Sequence, residues 1–139
     1  MKQSKLNQIL KEHTEWLKDR KDKEVTLLNA NLNCADFRNA NLNGVDLSGA
    51  DLRWANLSGA TLIGADLSGA NLSGANLNGT NLYSANLSGT NVDGTYFSDA
   101  DLIDANLSST NLSGAVFYNT KIFPISLHEM KLTNSKKIW

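Results

Sequence analysis

From Val25 to Asn134 the apolar positions recur every five residues, through 22 consecutive pentapeptides without an insertion. The central position of each, i, is Leu in 17 of them, with Phe37, Val92, Phe97, Phe117 and Ile122 in the others. All 13 alanines of the chain stand at i−2 and all ten glycines at i+2. Asn or Asp fills i−1 in 15 of the 22, and Ser or Asn is common at i+1. A helix needs apolar residues at a period near 3.6 and a half-buried strand at a period of two, so a period of five suits neither. It suits a chain that turns a corner every five residues with the i and i−2 side chains inward and permissive residues at the bend. One pentapeptide is too small to bury an apolar face alone, so each must stack on its neighbours.

Ala65-Asp66-Leu67-Ser68-Gly69 and Ala70-Asn71-Leu72-Ser73-Gly74 carry a resemblance to the pentapeptide-repeat family, whose pattern is Ala, Asp or Asn, Leu and two variable residues. The resemblance implies an all-β solenoid, a right-handed quadrilateral parallel β-helix in which four pentapeptides make one turn and residues 20 apart stack. Twenty-two pentapeptides would then make about five and a half coils, roughly 26 Å long at ~4.8 Å per coil. Folded at 20, the sequence places Phe37, Phe97 and Phe117 in one column with Leu57 and Leu77.

The ends depart from the repeat. Leu6, Ile9, Leu10, Trp16 and Leu17 follow helical spacing, which predicts an amphipathic helix over about residues 4 to 19, with Ser4 as N-cap, lying over the first turn. Residues 1–24 form this cap and its linker, 25–119 the regular repeat, and 120–139 a degenerate last coil and C-terminal cap or dimer contact. Over this last stretch Lys121, Ser126 and Lys131 replace Asn or Asp, Ile125 and Met130 replace Ala, and Pro124 removes a backbone donor. Ile138 and Trp139 are the candidate contact for a homodimer through the C-terminal end, a use of this end that the resemblance implies.

Thirteen basic and 14 acidic side chains give a formal charge of −1, too weak a field to draw the chain to nucleic acid or an anionic membrane. No apolar run approaches the ~20 residues that span a bilayer, and the lone Cys34 with a charged N-terminal segment reads as reduced and cytoplasmic. His13 and His128 fall in opposite caps and Cys34 at an outward i+2 position, so no nucleophile, base or metal set is brought together. The expectation is a protein that is no enzyme and has no cofactor and no metal.

The outward positions carry the functional signal. Ile63, Tyr83, Ile103 and Phe123 stand at i+1 at successive spacings of 20, an apolar column on a surface of Ser, Asn and Gly. This is a candidate protein-interaction strip for an unidentified protein partner, or a surface that a terminal segment covers. Arg53 and Trp54 are a candidate secondary contact, for the N-terminal helix or for a partner. The resemblance implies an alternative partner, because some relatives mimic duplex DNA and bind DNA gyrase or topoisomerase IV, inhibiting them or protecting them from quinolones. Duplex DNA carries one charge per ~1.7 Å, so a rod of that length would need on the order of 15 negative charges. Residues 25–134 carry nine acids against four bases, a sparse field for a DNA mimic.

Overall fold

The computed structural model describes residues 1–19 and 25–122 and the backbone of 136–138. The five-residue period is a train of corners: every i+2 residue from Asn29 to Asn119 has a positive φ, between 51° and 69°. Ten of these are glycines; the other nine include Cys34, Trp54, Ser84, Asp99 and Asp104. Each corner from Asn29 to Gly114 is closed by the N–H of the next i−2 residue donating to the carbonyl of i, as Ala70 does to Leu67 at 2.9 Å. Most are also braced by the i−1 side chain, whose Oδ1 accepts from the N–H of i+1, as Asp66 does from Ser68 at 2.8 Å. This is why short acceptor side chains crowd position i−1.

Successive turns stack at 20 residues through parallel bridges such as Asp46 to Asp66, Asp66 to Asn86 and Asn86 to Asn106. From Leu27 to Leu102 the N–H of each i residue donates to a carbonyl 19 positions later, and from Asp51 to Lys121 that of each i−1 residue donates to one 21 positions earlier, as with Leu67 to Asn86 at 2.8 Å and Asp66 to Val45 at 3.0 Å. Inside, the Leu and Phe of position i and the small residues of i−2 form one continuous core from Leu27 to Ala115. Phe97 and Phe117 lie parallel with ring centroids 5.1 Å apart. Where Thr replaces inward Ala, its hydroxyl is satisfied by the backbone: Thr80 donates to Leu57 O at 2.9 Å and Thr95 to Leu72 O at 2.7 Å.

The expected all-β solenoid, a quadrilateral parallel β-helix, is corrected by this structure. Its turns meet through isolated single-residue bridges. Regular strand among the described residues is confined to β1 (Val116–Tyr118), which pairs in parallel with β2 (Lys136–Ile138) in a two-stranded sheet. The longest regular element is a helix, α1 (Gln3–Asp19). The physical reason is the period itself, for a left-handed corner every fifth residue leaves too short an extended run between corners for a ladder of consecutive pairs.

α1 lies across the open end of the first turn. Leu6 and His13 are fully buried under it, and Ile9 and Leu10 pack partly buried against the core. Ser4 falls inside the helix and not at its cap, for the carbonyl of Lys2 accepts the first helical N–H bonds, from Lys5 and Leu6. The first turn has backbone groups that elsewhere would pair with the turn before, and α1 supplies substitutes. The Gln3 amide donates to Asp36 O at 3.0 Å and accepts from Asp36 N at 3.1 Å. The amino group of Met1 donates to Asn31 O at 2.8 Å, and His13 Nε2 lies 3.0 Å from Asn43 O. A carbonyl only accepts, so His13 carries a proton on Nε2.

Candidate functional site

The i+1 side chains of one side of the stack project outward because only i and i−2 face the core. Bridges from Thr61 to Asn81 and from Asn81 to Asp101 set Ile63, Tyr83 and Ile103 one above another, a turn apart. Ile63 and Tyr83 are 39% and 42% exposed, and Ile103 is partly buried. Phe123, the fourth member of the predicted strip, lies outside the described residues.

The backbone under the strip is held on both sides. The carbonyls of Ile63, Tyr83 and Ile103 accept from Gly44, Gly64 and Ser84 N–H at 2.9, 3.0 and 3.0 Å. The N–H groups of Tyr83 and Ile103 donate to Asn81 and Asp101 Oδ1 in their own turns, each at 3.0 Å. Ile63 differs, because Thr61 stands where Asn or Asp would be. Its N–H is taken at 2.9 Å by Asn43 Oδ1 from the turn before. The same substitution recurs where Tyr96 occupies i−1: Ser98 N–H donates to Asn78 Oδ1 at 2.9 Å. These two Asn residues were not singled out by the sequence; the signal that finds them is an Asn at i+1 placed 18 residues before a missing i−1 acceptor.

Among the described residues, α1 meets the strip at its Ile63 end. Trp16 and Leu17 of α1 border, with Ile63 and Gly64, an open hollow of about 490 Å³. Trp16 stacks on the buried His13 ring, centroids 5.5 Å apart. Tyr83, a turn further on, is 42% exposed beyond this border.

Arg53 forms a two-pronged pair with Asp51, Nε to Oδ1 at 2.8 Å and Nη2 to Oδ2 at 2.7 Å. Trp54 is 67% exposed and its indole lies over Gly74, one turn further from α1, where a Cβ would collide with Cε3 and Cζ3. Arg38 grips Asp36 in the same way as Arg53 grips Asp51, and this pair holds the Asp36 carboxyl down at about 2. Hydrogen bonds from Ser48, and then Thr26, lower Asp46, while Arg53 lowers Asp51. Asp101 pairs with Lys121 at 3.8 Å. Three carboxylates of the stack are thus matched by cations.

Cys34 is exposed and donates to its neighbour Asn33 Oδ1 at 3.0 Å. Among the described residues no group of three or more His, Cys, Asp or Glu could hold a metal ion, and no helix is long and apolar enough to cross a membrane. His128, Pro124 and Trp139 lie outside the described residues; for Ile138 only the backbone is described, as the end of β2.

A family model for "Pentapeptide repeats (8 copies)" matches residues 23–59, 50–89 and 80–119. No curated protein matches the chain. Among solved structures it is similar to Rfr23, a pentapeptide repeat protein from the cyanobacterium Cyanothece 51142, at 40% identity over 74% of this chain and 67% of that one, with a TM-score of 0.53. It is also similar to alr5209, a pentapeptide repeat protein from Nostoc PCC 7120, at 35% identity over 65% of this chain and 78% of that one, with a TM-score of 0.48. A slighter likeness is to QnrB1, a plasmid-mediated fluoroquinolone resistance protein, at 18% identity over 85% of this chain and 70% of that one, with a TM-score of 0.38. The unbroken five-residue period, the corner at every i+2 and the family match across residues 23–119 lead to one conclusion: this chain belongs to the pentapeptide-repeat family.

Proposed function

We propose that this chain works by recognition and not by chemistry, as a rigid module that docks a protein on the strip Ile63, Tyr83 and Ile103. The observation that carries the reading is the exposure of Ile63 and Tyr83, 39% and 42%, one above the other on a backbone bonded on both sides. A strip carried on a backbone bonded this way needs little backbone ordering on binding, and aromatic residues on a fixed support are the usual anchors of protein interfaces.

Membership of the family brings a second reading, a type II topoisomerase as the partner, since some relatives work in that way. The likeness to QnrB1 is too slight to support it. The charge distribution speaks against a DNA-like surface, because Asp36, Asp51 and Asp101 are each neutralised by a neighbouring cation.

The test is affinity capture from the source cell's lysate with the wild-type protein and with a variant carrying Ile63→Lys, Tyr83→Lys and Ile103→Lys. The variant should keep its melting temperature, because these side chains point outward, and should lose a protein that the wild type retains. Unfolding of the variant would make the strip structural and end the docking reading. Recovery of a gyrase or topoisomerase subunit by both forms would move the function to the second reading.

A further inference from the structure

We propose a second contact surface, two corners along each turn from the strip: the column of corners Trp54, Gly74, Gly94 and Gly114 takes an arginine side chain presented by a protein partner. Bonds from Trp54, Gly74 and Gly94 N–H to carbonyls of the turn that follows, at 3.1, 2.8 and 3.0 Å, set these corners one above another. Every other corner from Asn29 to Asn119 carries Gly, Asn, Asp, Ser or Cys; Trp54 alone places a large side chain at a positive φ, 59°. Large residues are outliers in this conformation. The indole lies over Gly74, which fixes its place, and the residue is still 67% exposed.

The other end of the column is charged. Asp93 Oδ1 stands 2.9 Å from where a Cβ on Gly114 would be, so the carboxylate lies over that corner. Among the described residues this carboxylate has no hydrogen-bond or ion-pair partner. Arg53, next to Trp54, is already held by Asp51 through both prongs of its guanidinium. Between the indole and the carboxylate Gly94 is bare, for apart from its chain neighbours no atom comes within 4 Å of the place of a Cβ. An apolar plate and an unpaired anion thus border one open stretch of glycine backbone.

The span between them selects the ligand. Gly74 and Gly114 are two turns apart, ~9.6 Å at ~4.8 Å per turn. An extended arginine side chain reaches roughly 6–7 Å from Cβ to its terminal nitrogens, and a charge-assisted hydrogen bond adds about 2.8 Å. With Cβ over the indole, the apolar stem lies on the ring and the planar fork meets the carboxylate. Lysine is about one bond shorter and offers a single point charge, so it fills the gap less well. An anion would be repelled by Asp93, and a neutral group would forgo the charge-assisted pair.

The test is a nitrogen-15 NMR titration of the full-length protein with acetyl-Gly-Arg-Gly-amide. The Trp54 indole N–H and the Gly94 amide should shift together and saturate. The citrulline counterpart, which keeps the shape without the charge, should bind about tenfold more weakly, the loss of one charge-assisted pair. Asp93→Asn should weaken the arginine peptide to the same extent and keep the melting temperature. Trp54→Gly should abolish the response while holding or raising the melting temperature, since glycine takes a positive φ freely. Equal affinity for the citrulline peptide, an undiminished response in Asp93→Asn or Trp54→Gly, or equal shifts at Asp104, a carboxylate of another corner, would each overturn the arginine site. So would the absence of any saturable shift. The column shares no residue with the strip, so failure here leaves the docking reading intact, and failure of that reading leaves this one.

Discussion

The stability of single corners depends on acceptors that can be exchanged between turns. Asn43 Oδ1 takes the Ile63 N–H because Thr61 does not. Asn43→Ala should therefore cost about 1 kcal/mol or less, the range of a neutral hydrogen bond in contact with water. Adding Thr61→Asn should restore it by rebuilding the local brace, and urea denaturation of the single and double variants measures the compensation. A second residue-scale prediction concerns acid. The Asp36 carboxyl is held at about 2 by its bonds to Arg38. Its folded value lies below the unfolded one, so its contribution is complete above the unfolded carboxylate range and is lost as pH falls through about 2. A carbon-13 NMR titration should find Asp36 ionised at pH 3, and Arg38→Gln should bring its midpoint back toward the ordinary carboxylate value. Corners and inward residues were legible in the sequence because each position of the repeat has one environment. The Asn43 and Asn78 braces were not, since each is an exception to the period that appears only once turns are paired at 20 residues.

At the scale of elements, α1 acts as a substitute for the turn that would precede Asn31. Its helical spacing was readable from Leu6, Ile9, Leu10 and Leu17, and so was its place over the first turn. Its bonds were not, because Gln3 and His13 are polar residues on a helix and no periodicity says that they meet backbone edges. The strand content was overestimated for a related reason: the period shows where the chain bends but not that so little remains extended between bends. His13 is the critical group, buried, bonded to Asn43 O at 3.0 Å and stacked on Trp16. His13→Ala would leave the partly buried Asn43 carbonyl without this donor and a void beneath the helix. Losses of about 2–4 kcal/mol are expected from the two effects together. Thermal melts would check this, and amide exchange would place the damage in α1 and the first turn. His13→Gln, which keeps a donor, should recover part of the loss.

As a whole molecule the stack is nearly one-dimensional, since each turn bonds to the turn before and the turn after and its core side chains lie in layers between them. The apolar strip was legible at this scale because outward apolar residues 20 apart stand out against Ser and Asn; the reach of α1 to Ile63 became visible only in three dimensions. A stack of this kind divides its stability between the turns and the interfaces joining them, so a lesion should be felt most by the nearest neighbours. Leu67 is fully buried at the middle of the stack. Leu67→Ala removes three carbons from a close-packed layer and should cost about 2–5 kcal/mol. Hydrogen exchange under native conditions would show how that cost spreads. The amides of Leu67 and of Leu47 and Leu87, one turn to either side, should exchange faster by the largest factor, those of Leu32 and Leu107 by less. A uniform acceleration from Leu32 to Leu107 would mean that the turns open only together, and that the interfaces between them are strong enough to make the whole stack a single cooperative unit.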